Sequence, residues 1–221
     1  AFDQLLHDVC FSNLPTIILS TRSGFSGYDN PTHHGLYDIS YMQSLPNLNV
    51  FYPKDGNELE AMIHGLTKDI TGPNLIMMPY GPLDNFKIIN DDDDVFLPEL
   101  VRSGDDILII TVGNKYQNSL KVAEEMNTGL VNIRRLHPLP SKKLLELSKP
   151  YNKIVTIEEA ILDGGIGSSI SAMFADNQIS KQILRLGLPR KFIEPGSNEE
   201  LCKIYGLDVD GLKNSITNFF K

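Results

Sequence analysis

The chain has 221 residues and a formal net charge of −8, with 41% hydrophobic and 22% charged residues. That is long enough for one large or two small cored domains and too apolar for a disordered chain. The acidic balance excludes the usual electrostatics of nucleic-acid or anionic-membrane binding. No apolar run approaches the ~20 residues of a membrane span, and no targeting segment opens the chain.

The first residues form a helical stripe, Phe2, Leu5, Leu6, Val9 and Cys10, with no capping residue before it. A chain that starts inside a helix reads either as a fragment whose first strand is missing or as an ordinary frayed N-terminal helix. Apolar runs follow at Thr16–Leu19, Leu48–Tyr52 and Leu75–Met78. Several run without alternation, as strands covered on both faces do. Leu59, Met62, Ile63 and Leu66 make an i, i+3, i+4, i+7 stripe, with Asp55 and Glu58 placed as a capping-box variant.

Charge is unevenly spread. Residues 1–81 hold 3 Lys+Arg against 8 Asp+Glu, a net of −5; residues 82–104 hold 2 against 6, a net of −4; residues 105–221 hold 15 against 14, a net of +1. Pro82, Pro98, Gly104 and the run Asp91–Asp94 make 82–104 read as an exposed linker between two domains. A calcium site at Asp91–Asp94 is disfavoured, because the Gly and terminal Glu of an EF-hand loop are absent. Beyond it come apolar runs at Ile107–Val112, Leu130–Ile133, Ile154–Ile157 and Ile183–Leu186, and a last helical stripe of Leu212, Ile216, Phe219 and Phe220. Strand–helix alternation on both sides of the linker predicts two α/β domains with parallel or mixed sheets.

The residues with chemistry gather between Thr21 and Asp38, after the first strand, at the carboxyl end where open α/β sheets hold ligands. His33 and His34 make a poor zinc pair, since adjacent side chains diverge and no third ligand sits at helical spacing. They remain open as packing residues or as acid–base and oxyanion groups. Arg22 is either a surface charge or a planar fork for phosphate or carboxylate. Asp29 either caps a turn or joins that chemistry. Gly164-Gly165-Ile166-Gly167 has the look of a phosphate cradle before a helix. Cys10 and Cys202 read as small core hydrophobes.

Five segments carry a more specific signal. GYDNPTHHGLYDISYMQSLPNL (Gly27–Leu48), FYPKDGNELEAMI (Phe51–Ile63), TIEEAILDGGIGSSI (Thr156–Ile170), RLGLPRKFIEPGSNEEL (Arg185–Leu201) and YGLD (Tyr205–Asp208) together resemble the 1-deoxy-D-xylulose-5-phosphate synthases. That family belongs to the transketolase superfamily and depends on thiamine diphosphate. The match extends over the whole chain, and AFDQLLHDV resembles a helix in the middle of the family's pyrimidine-binding domain. The resemblance implies an incomplete pyrimidine-binding domain at 1–81, the acidic linker at 82–104, and a transketolase C-terminal-like domain at 105–221. The whole protein would then be about three times longer.

It also implies a reaction. Pyruvate is decarboxylated and its two-carbon unit joined to glyceraldehyde 3-phosphate, in isoprenoid and thiamine precursor synthesis. By position, His33 would serve proton transfers beside the cofactor, with Asp29 and His34 in the same network. Arg22 would hold the phosphate of the aldehyde. The family's magnesium-holding G-D-G…N motif and its activating glutamate are not in this chain; both lie upstream of the opening helix. Glu58 and Glu60 belong to the P-K-D-G-N-E-L-E helix and do not replace that glutamate. Thiamine diphosphate and Mg2+ are thus expected for the longer enzyme, with their diphosphate site outside this segment, which alone should be inactive. The resemblance makes Glu158, Glu159 and the Gly164–Gly167 loop structural, and implies a homodimer that is cytoplasmic, or plastid-type in a eukaryote.

One departure matters. Where the family reads R-Y-P-R-G, this chain has Met77-Met78-Pro79-Tyr80-Gly81, so Tyr80 replaces a phosphate-binding arginine. A split transketolase or 2-oxo acid dehydrogenase beta-type subunit with another acceptor, and a non-catalytic assembly or regulatory module of the same fold, are the alternatives.

Overall fold

The structure is a computed structural model that describes residues 1–81, 83 and 94–221. Asp91–Asp93 of the acidic run, and with them most of the disfavoured calcium site, lie outside the described residues. Asp94 is described, and its Oδ1 accepts the Phe96 N–H at 2.9 Å.

The chain opens with α1 (Phe2–Gln4), which continues as a π-helical turn over Leu5–Cys10. Then follow β1 (Thr16–Ser20), a 3-10 turn over Pro31–His33, α2 (Asp38–Met42), β2 (Asn49–Phe51), α3 (Gly56–Lys68) and β3 (Pro73–Met77). After these come β4 (Glu99–Arg102), β5 (Ile107–Thr111), a 3-10 turn over Gly113–Lys115, α4 (Tyr116–Glu125), β6 (Gly129–Asn132), β7 (Arg135–His137) and α5 (Ser141–Ser148). The chain ends with β8 (Lys153–Ile161), α6 (Ile166–Asp176), β9 (Gln182–Leu188), α7 (Asn198–Ile204) and α8 (Val209–Phe219).

Two sheets result, in the orders β1-β3-β2-β7 and β4-β6-β5-β8-β9. Each has a parallel centre and one antiparallel edge strand, β7 on β2 and β4 on β6. The apolar runs fail to alternate because both faces are covered. In β5, Leu108 and Ile110 enter the core shared with Val50, Leu75 and Phe174, while Ile109 enters the opposite one with Val122, Val155 and Ile216. The α3 stripe closes the outer face of the first sheet, where Met62 and Leu66 pack with Phe51 and Ile76. Asp55 caps α3 by accepting the Glu58 N–H at 2.7 Å.

Two short strands depart from the sequence expectation. β4 lies inside the stretch read as a linker, and β7 carries chain from the 105–221 region into the first sheet. Their charges hide them from an apolar pattern. Glu99 of β4 and Arg134 beside β7 meet at 3.1 Å in a buried ion cluster instead of facing water.

Candidate active site

The site is built on the turn that follows β1. The β1–β3 ladder runs on past its strands, with Met78 N–H donating to the Ser20 carbonyl and Ser23 N–H to the Met78 carbonyl, both at 2.8 Å. The chain then folds back, and Gly24 and Gly35 exchange two backbone hydrogen bonds of 2.9 Å. This contact demands glycine. A Cβ on Gly35 would lie 2.3 Å from the Arg22 carbonyl oxygen, and one on Gly24 would lie 2.4 Å from a Glu159 oxygen. Arg22 itself is held at φ 64°, a left-handed conformation uncommon for a long side chain.

Arg22, Asp29 and His33 meet at the surface of this loop. Arg22 Nη1 donates to Asp29 Oδ2 at 2.8 Å, and His33 Nδ1 stands 3.7 Å from Asp29 Oδ1. The Asn30 backbone N–H and the Arg22 guanidinium hold the Asp29 carboxyl below its ordinary range. The Tyr80 ring stacks on the Arg22 guanidinium, 5.0 Å from carbon to centroid. Asp29 and Tyr80 line a cleft of about 540 Å3, together with Phe25–Tyr28, Ser197 and Asn198.

His34 points the other way and is buried. Its Nδ1 accepts the Ser26 N–H at 2.9 Å, and its Nε2 donates to the Glu194 carbonyl at 3.3 Å. These partners fit an acceptor at Nδ1 and a donor at Nε2. The adjacent histidines thus separate into one exposed beside Asp29 and one that ties the loop to the C-terminal half.

Glu159 makes the second tie. It is buried and accepts the Phe25 N–H at 2.7 Å, Asn114 Nδ2 at 2.9 Å and Asn198 Nδ2 at 3.1 Å, and it pairs with Lys115. Neither Glu159 nor Asn198 is a candidate from local spacing, because their partners lie far away in the chain. The capping box Ser197–Glu200, which starts α7, was the available sequence signal for the cleft wall it forms.

The glycine loop before α6 turns its amides inward. Glu158 accepts from Ile166 N–H at 2.8 Å and Gly167 N–H at 2.9 Å, so its carboxylate takes the place a phosphate would need. Burial pushes the Glu158 carboxyl up to about 7, against the pull of the two amides and Arg185. Among the described residues no group of three or more His, Cys, Asp or Glu side chains is placed to hold a metal ion. Among the described residues, no helix is long and apolar enough to cross a membrane.

The cleft lies past the carboxyl end of β1, the side of a parallel sheet where α/β folds hold ligands, and Ser197 and Asn198 at the start of α7 form part of its wall. Residues 1–83 match the transketolase pyrimidine-binding domain, and residues 98–212 match the transketolase C-terminal domain. The chain belongs to the transketolase family. It is 34% identical to 1-deoxy-D-xylulose-5-phosphate synthase of Caldanaerobacter subterraneus, over 100% of this chain and 36% of that protein. It is 36% identical to the synthase of Mannheimia succiniciproducens, again over 100% and 36%. For Aquifex aeolicus the identity is 34%, with the same coverage. The chain thus spans about a third of the length of these curated relatives. A solved structure, "Split gene transketolase, inactive beta4 tetramer", shares the fold with a TM-score of 0.84 at 22% identity, covering 99% of this chain and 70% of that one.

Proposed function

We propose that this chain is the acceptor-binding part of a thiamine-diphosphate transferase of the 1-deoxy-D-xylulose-5-phosphate synthase type. In that reading the whole enzyme joins a two-carbon unit from pyruvate to a phosphorylated aldehyde and works as a homodimer. The observation that carries it is the meeting of Arg22, Asp29 and His33 on one loop, whose Asp29 lines the cleft. Whole-chain identity to three synthases supports it.

The roles follow from the geometry. Arg22 presents a fixed guanidinium, one edge held by Asp29 and one face by Tyr80. The remaining edge binds an anionic group of the acceptor. His33 is exposed beside the Asp29 carboxylate, where it can take or give a proton at Nδ1. His34 positions the loop and Tyr80 positions Arg22. We assign the cofactor's diphosphate and Mg2+ to residues outside this chain, so no step is routed through them here.

Tyr80 tests the reading. Tyrosine offers one hydrogen bond and no positive charge. In the full-length enzyme, Tyr80→Arg adds a charge-assisted contact worth about 1.5–3 kcal/mol, roughly a tenfold to hundredfold tighter phosphorylated acceptor. Steady-state titration of that acceptor measures it, with an unphosphorylated aldehyde as control. An unchanged apparent affinity for the phosphorylated acceptor overturns the assignment of this loop to the phosphate.

A further inference from the structure

Behind the cleft lies a cluster that this function does not use. Cys202 on α7 and Lys115 at the end of the Gly113–Lys115 turn are both buried, and Lys115 Nζ is 3.0 Å from Cys202 Sγ. Glu159 pairs with the same ammonium, and Asn198 Oδ1 is 3.4 Å from the sulfur. Asn198 lines the cleft, so one turn of α7 separates the sulfur from the cleft wall.

We propose that Cys202 and Lys115 are a modification site, in which a peroxide links Sγ to Nζ by a reversible covalent bond. Three features on the page support it. A thiol nucleophile and a primary amine are already at contact distance, so no backbone movement is needed. The ammonium beside the sulfur is the group that pulls toward the thiolate, the form that attacks peroxide, against burial, which holds the thiol above its ordinary value. Asn198 places the pair beside a cleft that a small oxidant can enter.

The step balances with hydrogen peroxide as the oxidant. The Cys202 thiolate attacks one peroxide oxygen; an S–O bond forms, the O–O bond breaks, and hydroxide leaves. Hydroxide takes a proton from the Lys115 ammonium and becomes water. The freed amine attacks the sulfenic sulfur; an S–N bond forms, the S–O bond breaks, and the oxygen leaves as a second water with a proton from nitrogen. Sulfur is oxidised by two electrons and peroxide reduced by two. A sulfenic acid captured by a neighbouring nitrogen is an established rung of cysteine oxidation that thiols reverse.

The link also has a consequence for the cleft. The sulfenamide nitrogen is uncharged, so Glu159 loses the cation it pairs with while still holding the Phe25 N–H and Asn198. Oxidation at the buried pair is thereby felt at the loop that carries Asp29.

The test is peptide mapping of the full-length protein after limited hydrogen peroxide. The expected product is a linked pair of peptides containing Lys115 and Cys202, lighter than their sum by two hydrogens and released by dithiothreitol. Cys202→Ser abolishes it, and Cys10→Ser leaves it intact. Lys115→Arg keeps a cation for Glu159 but has no primary amine, so the link disappears and Cys202 proceeds to the sulfinic acid. The proposal is overturned if wild-type Cys202 stays unmodified or gains oxygens without a link to Lys115. That wild-type map decides the question even if the Lys115 variant does not fold.

Discussion

Replacing Glu58 by glutamine should destabilise the protein more than any exposed charge change. Glu58 is fully buried at the start of α3. Its Oε1 accepts from Lys54 Nζ at 2.7 Å and Arg134 Nε at 2.6 Å, and its Oε2 accepts the Lys54 N–H at 2.8 Å. Glu99 supplies the second carboxylate, 3.0 Å from Lys54 and 3.1 Å from Arg134. Two cations thus face two anions between the sheets. Glu58→Gln leaves both cations sharing Glu99 and turns an amide N–H toward donors. Removing one partner of a buried pair costs about 3–5 kcal/mol. At ~2–4 °C per kcal/mol for a chain of this size, Tm should fall by roughly 6–20 °C. Calorimetry at neutral pH measures it, with Lys143→Gln, which breaks the exposed pair to Glu146, as the control. Burial alone would push the Glu58 carboxyl up, but Lys54 and Arg134 outweigh it and hold it below its ordinary 4.5. A depressed carboxyl contributes stability that is present above 4.5 and lost as pH falls through the folded value, so the variant should lack this acid-side loss. A cost under about 1 kcal/mol, the range of exposed pairs, refutes the reasoning.

Two further outcomes follow from the same geometry. Gly35→Ala drives a methyl against the Arg22 carbonyl; overpacking of this kind costs about 1–3 kcal/mol. Far-UV circular dichroism should stay unchanged while acceptor affinity of the full-length enzyme drops, and retained affinity would show that Arg22 does not depend on the Gly24–Gly35 contact. Glu158 carries the opposite pH sign to Glu58: its raised carboxyl lets the folded state bind more protons than the unfolded one between 4.5 and about 7. Its contribution is present below 4.5 and lost as pH rises through about 7, up to about 3 kcal/mol, and Glu158→Gln should flatten that slope in urea titrations across the window.

Much of the fold was legible because its central strands are covered on both faces. Continuous runs such as Ile107–Val112 and Ile154–Ile157 have no polar side to blur them. β4 and β7 were not legible for the converse reason. Each has three or four residues at a sheet edge, and Glu99, Arg102, Arg135 and His137 break any apolar pattern. What makes Glu99 acceptable there is the Lys54–Glu58–Arg134 cluster, whose members come from two other parts of the chain. No window of local sequence contains that information.

The site divides along the same line. Arg22, Asp29 and His33 are close in sequence, and their grouping could be read from one loop. The two histidines could not be told apart, because His34 is fixed by Ser26 and by Glu194, 160 positions away. Glu159, 134 positions from the Phe25 amide it accepts, was equally invisible as part of the site. These distant contacts explain how Arg22 tolerates its backbone. A non-glycine residue at φ 64° costs on the order of 1–3 kcal/mol and persists only where its surroundings over-determine it. Here the Gly24–Gly35 pair fixes the chain on one side, Glu159 fixes Phe25 on the other, and Tyr80 covers the guanidinium. An arginine held this way is oriented before any ligand arrives. Under the proposed role, an anion would meet an edge already aimed and partly neutralised by Asp29, so the loop would favour geometry of approach over raw charge.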